Sequence, residues 1–114
     1  MIAYNEVLLR LILAAVFGGL VGIERELVHK PAGVRTHMLV SLGSALFILL
    51  ALENIPEGID KIIAGVATGV GFLGAGTIFK SKIEVHGLTT AASIWAVAGV
   101  GMGIGLGYYF MTLV

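Results

Sequence analysis

The run Val70-Gly71-Phe72-Leu73-Gly74-Ala75-Gly76, followed after a short charged loop by Gly87-Leu88-Thr89-Thr90-Ala91-Ala92-Ser93-Ile94-Trp95, decides the fold. It joins an apolar helix with little side-chain bulk to a second helix that opens on two threonines. In water, so much apolar surface with so little volume builds a poor core. In a bilayer, lipid is as apolar as leucine, so helices associate by close backbone approach, and small residues allow it. The stretch therefore places the chain in a membrane.

Composition agrees. The 114 residues are 58% hydrophobic and 12% charged, with 17 glycines and two prolines, and the mean hydropathy is +1.03. A soluble domain carries about 25% charged residues. The length suits one small domain over residues 1–114. A net charge of zero offers nucleic acid nothing to neutralise. The absence of cysteine excludes disulfides, thiolate metal sites and cysteine nucleophiles. The first apolar run ends in Glu24-Arg25-Glu26 rather than at a small-residue cleavage site, so it is expected to remain in the mature protein.

A spanning helix needs roughly 20 mostly apolar residues. Four segments qualify: about Glu6 to Ile23, Thr36 to Leu52, Ile62 to Phe79, and Gly87 to Val114. The last holds no ionisable group and is read as one long or tilted helix. The predicted fold is an all-α, polytopic four-helix membrane bundle. Glu6 and Arg10 lie one turn apart and are placed to pair. Lys30-Pro31-Ala32-Gly33 should break the chain between the first two spans. Pro56 and Gly58 mark the second loop, and Lys80 to His86 the third. The first and third loops hold Arg25, Lys30, Arg35, Lys80 and Lys82; the opposite side holds Arg10 and Lys61. That bias predicts a cytoplasmic first and third loop, with both termini outside. At an offset of 54 residues Gly22, Gly33, Val34 and Thr36 match Gly76, Gly87, Leu88 and Thr90. The match suggests two helical hairpins in parallel repeat.

Small residues recur every four positions, as Gly18 and Gly22, Gly65 and Gly69, Ala67, Gly71 and Ala75, and Gly99, Gly103 and Gly107. With Gly74 and Gly76 they are the candidate helix-packing glycines. Their plainest use is inside one bundle. Their sharper use is a subunit interface on the fourth helix, making the chain a homo-oligomer.

The candidate polar cluster is Glu24, Arg25, Glu26, Arg35, Thr36, Thr89 and Thr90. Magnesium takes oxygen ligands, usually one or two carboxylates with waters. Glu24 and Glu26 are two apart, so on a helix they point to different faces and cannot grip one ion. Pairing of a glutamate with Arg25, Lys30 or Arg35 is the plainer expectation; a cluster of one glutamate with Arg35 and Thr36 is the other. Thr89, Thr90 and Ser93 are expected to cap the fourth helix or to bond across helices. His29, His37 and His86 match no ligand spacing and are expected in solvated loops. Trp95 is either an interfacial anchor or buried with a partner for its N–H. Nothing resembles a catalytic constellation or a resident cofactor site, so the chain is expected not to be an enzyme, with magnesium the one ion to consider.

Four blocks, Gly18-Gly19-Leu20-Val21-Gly22-Ile23-Glu24-Arg25-Glu26, Ala32-Gly33-Val34-Arg35-Thr36, Val70 to Ile78, and Gly87 to Trp95, together resemble the MgtC/SapB family. The resemblance covers most of the chain and implies a bacterial or archaeal cytoplasmic-membrane protein. Members are associated with growth in low magnesium and with survival inside macrophages. The resemblance to the best-known members implies a protein that acts on other membrane proteins, including the F-type ATP synthase, rather than carrying magnesium itself. The resemblance marks Glu24, Arg25, Gly33, Arg35, Thr36, Gly71, Gly74, Gly76, Gly87, Thr89 and Thr90 as motif positions without individual roles. Typical members continue into a fifth spanning helix, and many into a soluble domain; this sequence provides four spans. The expected function is a non-enzymatic modulator of partner membrane proteins in magnesium homeostasis. The alternatives are a small magnesium or solute transporter, its mouth lined by Glu24, Arg25, Arg35, Thr36, Thr89 and Thr90, and a structural core that only oligomerises.

Overall fold

The computed structural model describes residues 2–80 and 85–113, and only the backbone of 79, 80, 85 and 86. Helix α1 is Tyr4–Leu27, α2 Val34–Asn54, α3 Ile59–Ala75, α4 Leu88–Leu106 and α5 Tyr109–Leu113. A 3-10 turn, Pro56–Gly58, leads into α3. Between α3 and α4, β1 (Phe79–Lys80) and β2 (Val85–His86) pair antiparallel, Phe79 facing His86. The helices α1, α2, α3 with its preceding turn, and α4 are each long and apolar enough to cross a membrane.

Turn chemistry sets the breaks. Pro31 cannot sit inside a helix. Around it His29 and Ala32 take left-handed backbone, with φ of 58° and 59°, and α2 restarts directly after Gly33. The α1–α2 and α3–α4 connections lie at one end of the bundle, here the Arg25 end. The α2–α3 turn and the start of α5 lie at the other, the Arg10 end.

The two central helices are α2 and α4. On one flank α1 packs against both, and on the other α3 leans on α4 and only lightly on α2. Ala14, Ala45 and Ile104 form one core cluster across α1, α2 and α4; Val70, Ile94 and Ala98 form a second between α3 and α4. Glycine permits the closest approaches. A methyl on Gly18 would land 2.7 Å from the His37 carbonyl oxygen, and one on Gly22 would land 2.6 Å from that of Gly33. On α4 the seam is Gly101 against Ser41, and Gly105 against Ala45 and Ile48. On α3, Gly74 lies against the Ala91 backbone.

Several expectations are corrected. The fourth span is not one helix to Val114. It stops at Leu106, where Gly107 turns left-handed with φ 84°. Tyr108 N–H then bonds Gly103 O at 3.0 Å and Gly107 N–H bonds Ile104 O at 2.9 Å. This is a Schellman ending, which needs a residue without Cβ at that position. Within one chain, the α4 glycines packed against α2 are Gly101 and Gly105 rather than Gly99, Gly103 and Gly107. Gly99 and Gly71 meet nothing within 4 Å, Gly103 is covered by the Thr112 side chain, and Gly76 is simply the residue after α3. We expect Gly107→Ala to lower stability by about 1 kcal/mol, the cost of Cβ in left-handed backbone. An unchanged unfolding midpoint in detergent would sink that account.

The third span begins earlier than expected, at Ile59, so Asp60 and Lys61 lie on α3. Helices α2 and α4 begin 54 residues apart, whereas α1 and α3 end at Leu27 and Ala75, out of that register. The repeat is therefore seen only in the second helix of each hairpin.

Candidate functional site

A buried polar chain crosses the Arg25 end. Arg25, in the last turn of α1, is 6% exposed. Its Nη2 donates to Thr90 Oγ1 and, at 3.5 Å, to the Pro31 carbonyl. Thr90 stands in the first turn of α4 and is 3% exposed. Ser93, one turn on, donates to the Thr90 carbonyl at 2.9 Å. It also meets His37 Nε2 at 2.9 Å. His37 is fully buried on α2, and its Nδ1 lies 3.0 Å from the Gly33 carbonyl. A carbonyl only accepts, so Nδ1 carries a proton and donates. One sequence of bonds ties α1, α4 and α2 together.

Two buried side-chain atoms at this end have no partner among the described residues: Arg25 Nε and Ser41 Oγ. A buried guanidinium is costly unless it is well bonded. Arg25 is held by one hydroxyl and one distant carbonyl, and so depends strongly on Thr90.

The other predicted cluster members do not join. Glu24, Glu26, Arg35, Thr36 and Thr89 are exposed. Among the described residues the ion pair is Arg10 with Glu6, so the expected pairing of Glu24 or Glu26 with Arg25, Lys30 or Arg35 is not formed. Glu26 instead reaches the Val34 N–H at 3.4 Å, where the positive end of α2 favours a carboxylate. No threonine caps α4; Gly87 precedes it in left-handed backbone with φ 86°. Gly87 lies so close to the Thr77 carbonyl that no side chain would fit. His37 is corrected from a loop residue to a core residue, while His29 is exposed. The side chains of Lys80, Lys82 and His86 fall outside the described residues. Trp95 is 56% exposed, which removes the buried alternative. No group of three or more His, Asp or Glu that could hold a metal occurs among the described residues.

Sequence reading missed His37 and Ser41, though a signal was present. Positions 37, 41, 44, 45 and 48 fall on one helical face, and all are buried. A histidine and two serines on the same face as alanine and isoleucine mark an interior polar seam.

The Arg10 end carries a second cluster. Arg10 Nε bonds Glu6 Oε1 at 3.0 Å and Nη1 bonds the Gly105 carbonyl at 2.9 Å. Tyr109 donates its hydroxyl to the same Glu6 oxygen. Burial, and then the bond to Glu6, raise the Tyr109 pKa above its ordinary value, keeping it a donor. Opposite, Glu53 accepts the Ile2 N–H at 2.7 Å.

The model of the MgtC family matches residues 11–114. A relative from Escherichia coli K12, named "Putative magnesium transporter YhiD", is 46% identical over 91% of this chain and 53% of its own length. Protein MgtC of Salmonella typhimurium LT2 is 42% identical over 90% of this chain and 44% of its own. A protein of Synechocystis, slr0014, is 43% identical over 93% and 46%. The chain spans about half the length of the curated relatives it matches. No solved structure matches. The motif blocks that span α1 to α4, the four membrane-competent helices and these matches agree: this multi-pass membrane protein belongs to the MgtC family.

Proposed function

We propose that the chain is a non-enzymatic membrane protein of magnesium homeostasis that acts by binding partner membrane proteins rather than by conducting the ion. The observation that carries the reading is the exposure of α3, which buries only Val70 and Gly74. Ala64, Thr68, Gly71 and Ala75 share one helical face that points away from the rest of the bundle, and Gly71 meets nothing within 4 Å. Such a face accepts a second membrane helix at close range. The partner by family resemblance is the F-type ATP synthase; a second copy of the chain would use the same face. The Lys and Arg bias supports the Arg25 end being cytoplasmic.

The buried charge also favours this reading over ion carriage. At the Arg25 end the interior presents a guanidinium, an imidazole and hydroxyls, while Glu24 and Glu26 stay outside. A divalent cation following the interior would meet a like charge rather than the carboxylates it prefers.

Gly71→Leu should reduce co-purification of ATP synthase subunits from native membranes at least tenfold, with insertion unchanged. Equal recovery, measured by mass spectrometry of the purified complex, would remove this face as the contact. Wild-type protein in liposomes should admit no more magnesium than empty vesicles do. Saturable entry would replace the proposal with transport, the role in the printed name of the Escherichia coli relative.

A further inference from the structure

A groove of about 600 Å³ runs between α2 and α3 on the side of the bundle where those two helices barely touch. Its floor is glycine, Gly43 from α2 with Gly65 and Gly69 from α3, and a methyl on any of the three would meet no atom within 4 Å. The walls are apolar. Ser44, which also lines it, spends its hydroxyl on the Val40 carbonyl of its own helix at 2.7 Å. The groove thus offers no free polar group along its length. At one end stands a single ionisable lining residue, Lys61. No carboxylate lies within ion-pair distance of Lys61 among the described residues, and neither Glu57 nor Asp60 lines the groove.

From this geometry we infer a phospholipid site, with one hydrocarbon chain in the groove and the lipid phosphate on Lys61. Length supports it. The lining runs along α3 from Lys61 to Leu73, about 18 Å at 1.5 Å per residue. One leaflet of a ~30 Å hydrocarbon core provides about 15 Å of chain. Charge supports it too. Lys61 lies in the first turn of α3, near the membrane surface, where its flexible stem lets the ammonium reach the headgroup level. Every phospholipid presents a phosphate there, whereas a partner helix would need a carboxylate placed at that one depth. Helix α5 packs on α4 and leaves the groove open. The inference is independent of the partner reading, because Gly71 lies on a different face of α3 from Gly65 and Gly69.

Native mass spectrometry of the detergent-purified chain, with phosphatidylethanolamine added, tests it. Wild type should keep one lipid per chain at activation that strips the rest. Gly65→Leu should fill the groove without clash and weaken that retention at least tenfold. Lys61→Gln should weaken it severalfold. Retention by Gly65→Leu equal to wild type would overturn the site, and retention by Lys61→Gln equal to wild type would overturn the phosphate contact. A Gly65→Leu variant that changes the number of chains per particle, with lipid retention unaltered, would assign the groove to a second copy and overturn the proposal. Retained folding is checked by an unfolding midpoint no lower than that of wild type, since leucine is a better helix former than glycine.

Discussion

A chain carrying Gly101→Leu should not assemble into the native bundle. A Cβ at that position would lie 2.8 Å from the Ser41 carbonyl carbon and closer still to its oxygen. The obstacle is backbone, so no side-chain rotation relieves it. Overpacking a core costs typically ~1–3 kcal/mol when neighbours can adjust. Here α2 and α4, the two central helices, must separate, and with them go the neighbouring contacts of Gly105 with Ala45 and Ile48. The expected loss is about 3 kcal/mol or more, a large part of the whole stability of a small domain. Gly99→Leu, two positions away on the same helix, meets nothing and should be tolerated. Thermal unfolding in mild detergent separates the two. Equal midpoints for both variants would refute the close seam between α2 and α4.

Thr90→Val should be the most damaging polar substitution. It keeps size and β-branching but removes the acceptor of the best bond Arg25 makes. The guanidinium would then be buried with the distant Pro31 carbonyl as its remaining partner. Leaving a charged donor unsatisfied costs about 2–3 kcal/mol. The informative measurement is the double substitution. Replacing a buried ion and its partner together by apolar groups is often neutral or stabilising. Arg25→Met in the Thr90→Val background should therefore recover at least ~1 kcal/mol, a coupling typical of residues in direct contact. Additive losses would mean that Arg25 and Thr90 stabilise the bundle separately.

The spans were legible because bilayer thickness demands long apolar runs, and glycine spacing showed that helices would meet closely. The particular seam was not legible. Gly99, Gly101, Gly103 and Gly105 alternate along α4, and periodicity alone does not say which of them face α2 when α5 folds back to cover Gly103 with Thr112. The helix end at Gly107 carried a signal, a glycine followed by two tyrosines, that an uncharged run through to Val114 obscured. Within the site, Arg25 and Thr90 were visible as motif positions. Their bond to each other was not, because they lie 65 residues apart and meet only when α1 and α4 are adjacent. Charge-based reasoning looked for carboxylates near Arg25. The fold spends Glu26 on the start of α2 and leaves Glu24 outside, so a hydroxyl takes their place.

Arg10 closes a gap that α4 cannot close alone. The last carbonyls of a helix lack intrahelical partners, and in hydrocarbon an unpaired carbonyl costs several kcal/mol. In α4 the ending at Gly107 pairs Gly103 O and Ile104 O. The carbonyl of Gly105 is met by Arg10 of α1. The fourth membrane-spanning helix is thus completed by a side chain from the first. Arg10 finds its carboxylate partner, Glu6, within its own helix, and gains its second ligand only where α4 lies beside α1.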